Sequence, residues 1–475
     1  MQYNKEVLNL IIIILGRLIA FASRVFNLGH GSTWPGHVAL NVNRNFIKDI
    51  IKLNPQLKII LIVGTNGKTT TGKLIQTILE KSGKKVFQNE SGANLLNGTA
   101  SSMLLHSSIL CKINYDYAIF EVDENTLPLV LKELTADYLI LLNLFRDQLD
   151  RYGEVNTIAL KWEDAIRHLL PKTKLILNAD DPQIAHLGLS SNVIPVKTGI
   201  QTPDPNFAKL RWARQVGNDK DNFQQARTVF YFGLNDKQLH QDSHQHAVDS
   251  TYCPNCNSKL FYNTIYYSHL GDWGCKNCDY KRPKNIFSSP PPCKLSGTYN
   301  LYNVLAAVLV AKKIGTSDEK IKNSLKTFTP AFGRQEILSV DGKKIQMFLS
   351  KNPTSFNESL RTIKSFGAKN VLFVLNDRIP DGRDVSWIWD VDFEDYSGQF
   401  KSIIISGDRC YDMGLRIKYN RKSQNHISNL QIFVDLDQAI KKAFSFTNQK
   451  ETLYILPTYS AMLEVRNILT GKKIL

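Results

Sequence analysis

Residues 64–71 read Gly64-Thr65-Asn66-Gly67-Lys68-Thr69-Thr70-Thr71, between an apolar run at 59–63 (IILIV) and a stretch of helical periodicity at 69–82. Five apolar residues in a row suit a strand buried on both faces, as in a parallel sheet. A glycine-rich turn leading from such a strand into a helix presents backbone N–H groups to phosphate oxygens. Gly64, Thr65, Asn66, Gly67 and Thr70 would then cradle the phosphates, Lys68 would neutralise them as a point charge and the Thr69 hydroxyl would ligate Mg2+. The spacing departs from the general phosphate-binding loop, because Ile62 stands where its first glycine is expected.

The alternation continues on either side of this unit. Apolar runs at 117–122, 138–142 and 175–177 are each followed by polar or helical sequence, which predicts an α/β domain over 55–330 with a parallel sheet covered on both faces. Between about 205 and 292 short aromatic and polar stretches replace this pattern and read as an insertion. Helical sequence resumes at 299–314. Further runs at 345–349, 371–375, 402–406 and 453–456 predict a smaller α/β domain over 331–475. Residues 1–54 read as an N-terminal helix and lead-in. The apolar stretch 8–22 is interrupted by Gly16 and Arg17, too short and broken to span a bilayer, and it lacks the flanks of a secretory signal. A buried or interfacial helix is expected, which leaves peripheral membrane contact open.

Composition narrows the classes. A chain of 475 residues with 43% hydrophobic content has material for about three domains and excludes disorder. The net charge of +16 implies an anionic partner: nucleic acid, nucleotide, phospholipid surface or phosphorylated substrate. Seven cysteines are too few for a disulfide framework and fit a reducing cytoplasm. Cys253, Cys256, Cys275 and Cys278 have zinc-ribbon spacing, and four thiolates closing a tetrahedral Zn2+ leave no open position, so this metal would be structural. Lys281, Arg282 and Lys284 lie nearby, but without interleaved aromatics, so no nucleic acid partner is expected.

The form GTNGKTT resembles the loop of Mur ligases and folylpolyglutamate synthetases. In the same order follow 143–154 (NLFRDQLDRYGE), 178–182 (NADDP), 299–307 (YNLYNVLAA) and 333–336 (GRQE), which also resemble the Mur ligase pattern. The short stretch before residue 58 leaves little room for the UDP-binding domain of ordinary Mur ligases. With the ribbon and with 30–41 (HGSTWPGHVALN), 352–360 (NPTSFNESL) and 377–394 (DRIPDGRDVSWIWDVDFE), nearly the whole chain resembles the MurT family, synthetase subunits of lipid II isoglutaminyl synthase.

That resemblance implies a Mur-ligase-like central domain with a zinc-ribbon insertion and a MurT-type C-terminal domain. It implies ATP-dependent amidation of the D-glutamate α-carboxyl of the lipid II stem peptide to D-isoglutamine through an acyl phosphate, in peptidoglycan synthesis. Ammonia would come from a GatD-type glutamine amidotransferase subunit in a heterodimer, in the cytoplasm at the inner face of the membrane. Cys111, Cys293 and Cys410 sit in no nucleophile signature, in keeping with an external nitrogen source. Lys68 and Glu121 would act at the phosphates, Glu121 as a Mg2+ carboxylate beside Thr69, with Glu124 as second choice and a strand-end surface acid as the alternative. Asn300 would face the adenine while Asn303 braces the helix, and Arg334 would contact the nucleotide or sit at the hinge between domains. Asp384 would orient the partner's Cys-His pair. Asp381 and Asp390 are its runners-up, and its alternative is capping a helix that starts near Ser386. Gln148 replaces a histidine usual in the family, and Lys161 lies near the position of a carbamylated lysine, where a helix-surface lysine is the alternative. Two rivals remain open: a ligase adding an amino acid, and a nucleotide-gated nucleic-acid module.

Overall fold

In the computed structural model, which describes residues 2–26, 33–89, 92–147, 155–189, 193–195, 227–246, 248–330, 333–419 and 429–471, three helices come first: α1 (Gln2–Val25), α2 (Trp34–Val42) and α3 (Phe46–Leu53). Strands and helices then alternate as β1 (Lys58–Val63), α4 (Lys68–Lys81), β2 (Val86–Gln88), α5 (Leu96–His106), β3 (Tyr117–Val122), α6 (Leu127–Glu133), β4 (Tyr138–Leu141), α7 (Val155–Arg167), β5 (Lys174–Asn178), α8 (Pro182–Leu189), β6 (Val193–Pro195) and β7 (Arg227–Phe232). A hairpin of β8 (Phe261–Tyr267) and β9 (Leu270–Gly274), the short β10 (Ile286–Phe287), α9 (Thr298–Ile314) and α10 (Asp318–Lys326) complete this half.

The first sheet is parallel in the order β10-β7-β5-β4-β1-β3-β2, with β6 also paired to β7. β1 lies between β3 and β4 and is covered on both faces, which is why its sequence is apolar throughout. Ile59, Leu61 and Val63 join one core with α3 and α5, while Ile60 and Ile62 join the other with α4 and α9, as the two-residue period of a strand requires. Within the stretch 205–292 read as an insertion, β7 and β10 instead extend this sheet. Their aromatic-rich, short sequences lack the aliphatic run that marks the central strands. What departs from the sheet is the β8–β9 hairpin and the cysteine cluster.

The second half contains β11 (Arg334–Val340), β12 (Lys343–Phe348), α11 (Pro353–Ser365), β13 (Asn370–Val374), β14 (Ser402–Ser406), α12 (Cys410–Lys418), β15 (Leu430–Ile432), α13 (Leu436–Phe446), β16 (Thr452–Pro457) and α14 (Tyr459–Thr470). Its sheet runs β11-β12-β16-β13-β14-β15, parallel except for the β11–β12 hairpin, with a core on each side.

Gly16 and Arg17 do not break α1. Gly16 is a contact point: a Cβ there would fall 2.4 Å from Leu104 Cδ1 of α5. Arg17 donates to Ser107 O, so its charge is held against the body. Glu6–Ser23 is long and apolar enough by length and composition to cross a membrane, and 33% of it is buried, so the helix is neither broken at Gly16 and Arg17 nor mostly buried.

Candidate active site

The phosphate loop is shaped by neighbours from distant sequence. Gly67 has φ +92°, and a Cβ on it would lie 2.1 Å from Asn303 Oδ1 of α9, so only glycine fits. Asn143, just after β4, holds both sides of Asn66: its Oδ1 accepts from Asn66 N–H (2.9 Å) and its Nδ2 donates to Asn66 O (3.0 Å). The Thr65 hydroxyl donates to Phe145 O (3.1 Å) and accepts from Phe145 N–H (3.0 Å). The segment 143–145 is thereby a template for the loop.

At the start of α4 the two expected side chains meet carboxylates. Thr69 Oγ1 donates to Glu121 Oε2 at 2.7 Å, and Lys68 Nζ lies 2.5 Å from Gly64 O and 3.3 Å from Glu124 Oε2. Glu121 stands opposite Ile62 in the β1–β3 register, at the carboxyl end of the strands where ligands of such sheets bind. It is buried, and its Oε1 has no hydrogen-bond partner. Burial pushes its pKa up, while the Thr69 hydroxyl, Arg334 and Lys68 oppose the shift. A buried carboxylate with an unfilled acceptor beside a phosphate-loop hydroxyl is a donor set that fits Mg2+. Glu124 is also raised by burial, opposed first by Lys68 and then by Lys351.

From Asn66, Gly67 and Thr70 a cleft runs between the two halves, past Asn300, Arg334 and Glu358. Asn300 lines it with its amide already engaged: Nδ2 donates to Ser296 O (2.7 Å) and Oδ1 accepts from Asn303 (3.0 Å). Asn303 does more than brace its helix, since it touches the loop at Gly67 and accepts from Thr71 Oγ1 (3.4 Å). Arg334 lies at the junction of the halves, its pKa lowered by burial and raised by Glu121.

Several residues of this cleft were not foreseen. Gln335, at φ +62°, donates from Nε2 to Ser296 O and to the Tyr299 hydroxyl, both at 2.7 Å. The α11 end clasps the loop: the Asn66 and Asn352 side-chain amides meet at 3.3 Å, and Lys351 Nζ reaches Asp147 Oδ2 at 2.5 Å. Asn352 is also the N-cap of α11, accepting from Ser355 N–H. The Asn-Pro-x-Ser signature of that cap is legible in sequence, its reach to the loop is not. Glu358 is buried in the cleft beside Arg361, and burial lifts its pKa to about 7, opposed by Arg361 and Gln245.

The remaining expected residues divide. The four cysteine sulfurs lie within 4.8 Å of one another, with two pairs at 3.5 and 3.6 Å, close to the roughly 3.8 Å edge of a tetrahedron with Zn–S bonds of about 2.3 Å. The NADDP segment ties this hairpin to the sheet: buried Asp180 accepts from Arg282 Nε (2.6 Å), Tyr302 Oη (2.6 Å) and Leu234 N–H (2.8 Å). Asp384 does not line the cleft; it is exposed and accepts from Ser386 N–H (2.8 Å), at the start of a 3-10 turn. Asp381 is buried and caps α14 through Ser460, while Asp390 pairs with Arg146 (3.2 Å). Lys161 is exposed and lies 3.3 Å from Asn125 Oδ1. Gln148 and His30 lie outside the described residues.

A phosphate loop on a parallel sheet, closed by a second α/β unit over an interdomain cleft, defines a Mur-type ATP-dependent ligase. The Mur ligase middle domain family matches residues 62–239, and the MurT ligase C-terminal family matches 349–462. In fold the chain resembles a pseudomurein peptide ligase type C from Methanothermus fervidus, with a TM-score of 0.60 and 21% identity over 91% of this chain and 84% of that one. Two curated relatives are named lipid II isoglutaminyl synthase (glutamine-hydrolyzing) subunit MurT. That of Staphylococcus aureus (strain COL) is 31% identical over 94% of both chains, and that of Streptococcus pneumoniae (strain ATCC BAA-255 / R6) is 30% identical over 94% of both. The chain belongs to the MurT family of ligase subunits.

Proposed function

We propose that this chain amidates the α-carboxyl of D-glutamate in the lipid II stem peptide, with ammonia supplied by a GatD-type glutaminase subunit. The observation that carries this reading is the likeness to MurT subunits over 94% of the chain, joined to a corner where Lys68, Thr69 and Glu121 converge on the phosphate loop. The units are taken as residues 1–54, 55–330 and 331–475. A carboxylate oxygen of the acceptor attacks the γ-phosphorus of ATP and ADP leaves; ammonia then adds to the acyl carbon, inorganic phosphate leaves and the nitrogen loses a proton to solvent. The chain's work is positioning and charge neutralisation. The loop amides and Lys68 hold the transferred phosphoryl group, Asn300 lies where the base would sit, and Arg334 brings a second positive charge near Glu121. Thr69 and Glu121 would hold Mg2+, which when bound offsets phosphate charge. The four cysteines would hold Zn2+ as a structural ion.

Nitrogen from outside suits the remaining thiols. Burial pushes the pKa of Cys111, Cys293 and Cys410 up, the opposite of what a nucleophile needs. An exposed Asp384 suits a role toward a partner's histidine, and work on a lipid-linked acceptor would place the chain at the inner membrane face. The test is ATP-dependent amidation of purified lipid II with glutamine by the chain alone, with a GatD-type partner, and with that partner and Asp384→Asn. Activity that needs the partner and falls at least 100-fold in the variant supports the assignment. Ligation of a free amino acid by the chain alone would replace it with an amino-acid-adding ligase.

A further inference from the structure

Helix α1 presents one unbroken apolar face. Val7, Ile11, Ile14, Leu15, Leu18, Phe21 and Val25 are exposed, and at 100° per residue they fall within one side of the helix. After Glu6, every exposed side chain described on α1 is apolar. The opposite side is fixed to the protein: Gly16 abuts Leu104, the Asn9 Oδ1 accepts from Asn43 Nδ2 at 2.8 Å, and Arg17 donates to Ser107 O. That last bond sets the loop after α5 beside α1, and this loop carries Leu110 at 75% exposure and Ile109 at 49%.

We infer that the outer face of α1, with Ile109 and Leu110, docks in the plane of an anionic lipid bilayer, buried to the level of the acyl chains without spanning it. A surface helix of this kind normally brings its own polar face. Here the protein body takes that place, because the inward groups Asn9 and Arg17 are already satisfied by α3's lead-in and α5. A second copy of the chain or a partner protein would need a polar rim around the apolar centre, and among the described residues after Glu6 the exposed face of the helix has none. Lipid needs no rim. Charge agrees: residues 1–53 hold six Lys or Arg against two acidic residues, within a chain of net +16, and Trp34, a residue type favoured at headgroup depth, is exposed beside the helix. The inference deepens the reading above, since a lipid-linked acceptor would then meet an enzyme already at its membrane.

The experiment is sedimentation of the full chain, with and without a GatD-type partner, on vesicles of phosphatidylglycerol and phosphatidylcholine, for the wild type and for Leu18→Glu/Phe21→Glu. A second variant, Ile109→Ser/Leu110→Ser, reads the loop. Each buried Leu or Phe counts for roughly tenfold or more in partitioning, so the α1 variant should bind at least about 100-fold more weakly and the loop variant should lose about tenfold or more. Amidation of lipid II dispersed in detergent should stay unchanged in both variants, which checks their folding. Equal sedimentation of wild type and α1 variant overturns the inference. So does a wild type that forms dimers, or holds its partner, through contacts the α1 variant breaks. Absence of amidation in detergent by the wild type would instead count against the functional reading and leave the vesicle result standing.

Discussion

The pairing of Lys68 with Glu124 makes a prediction in which stability and catalysis separate. The two charges are 3.3 Å apart, with side chains only 11% and 5% exposed. At an effective dielectric of about 20 their attraction is roughly 332/(20 × 3.3), about 5 kcal/mol before the cost of desolvating both. Removing one partner of a buried pair typically costs about 3–5 kcal/mol, because the other charge is left uncompensated. Lys68→Met should therefore lose about 3 kcal/mol at pH 8. The loss should depend on pH in a definite direction. Burial already raises the Glu124 pKa above its ordinary 4.5, and without Lys68 it rises further, so the variant's loss should shrink toward acid pH, where the carboxyl takes up its proton. With a folded pKa above the unfolded one, the unfolded state gives up the proton first as pH rises, and the stability of the variant falls relative to wild type. Lys68→Met/Glu124→Gln removes the orphaned charge and should recover all but about 1 kcal/mol, while ATP-dependent amidation stays at least about 100-fold down. Urea denaturation across pH, beside turnover with a GatD-type subunit added, reads both quantities. A single variant as stable as wild type at pH 8, or a double variant that regains turnover, would refute the reasoning.

Gly67→Ala forces a Cβ to 2.1 Å from Asn303 Oδ1 at φ +92°, and should cost at least about 2 kcal/mol in chemical denaturation and abolish measurable ATP binding by calorimetry. The cysteine cluster should hold one Zn2+ per chain by elemental analysis; a chelator should lower the melting temperature and, through the Arg282–Asp180–Tyr302 bonds, weaken ATP binding as well. Glu358, with a folded pKa of about 7 against 4.5, contributes stability below pH 4.5 that is lost as pH rises through 7. Glu358→Gln should flatten that slope and be the more stable form at pH 8, by up to about 3 kcal/mol; parallel slopes in the two proteins would argue against the assignment.

The loop and the sheet around it were legible because their signals are local. A run such as 59–63 suits a doubly covered strand, and Gly67 next to Lys68 announces a tight turn before a helix. The cysteine cluster was legible for the same reason, two short pairs at fixed spacing. β7 was not, since its consecutive aromatics Phe230, Tyr231 and Phe232 lie at the outer part of the sheet and mimic insertion sequence. The clasp was hidden by distance along the chain: nothing in Asn352 or Lys351 points to residues 66 and 147. Helix α1 misled through composition, because Gly16 reads as a breaker until Leu104 is seen filling its place. The site residues divide likewise. Thr69 and Glu121 meet through strand register, whereas Glu358 and Gln335 enter the cleft only once the second sheet is docked.

The amide clasp between Asn66 and Asn352 spans 286 positions of sequence. A chain made from its N-terminus forms the first sheet early, yet its phosphate loop acquires this last restraint only after α11 has left the ribosome. Asp147, two residues beyond Phe145, likewise meets Lys351 only then. Nascent fragments ending before residue 351 would thus carry a nucleotide loop without its closure. The last restraint on the phosphate loop is thus supplied by the half of the polypeptide that emerges second.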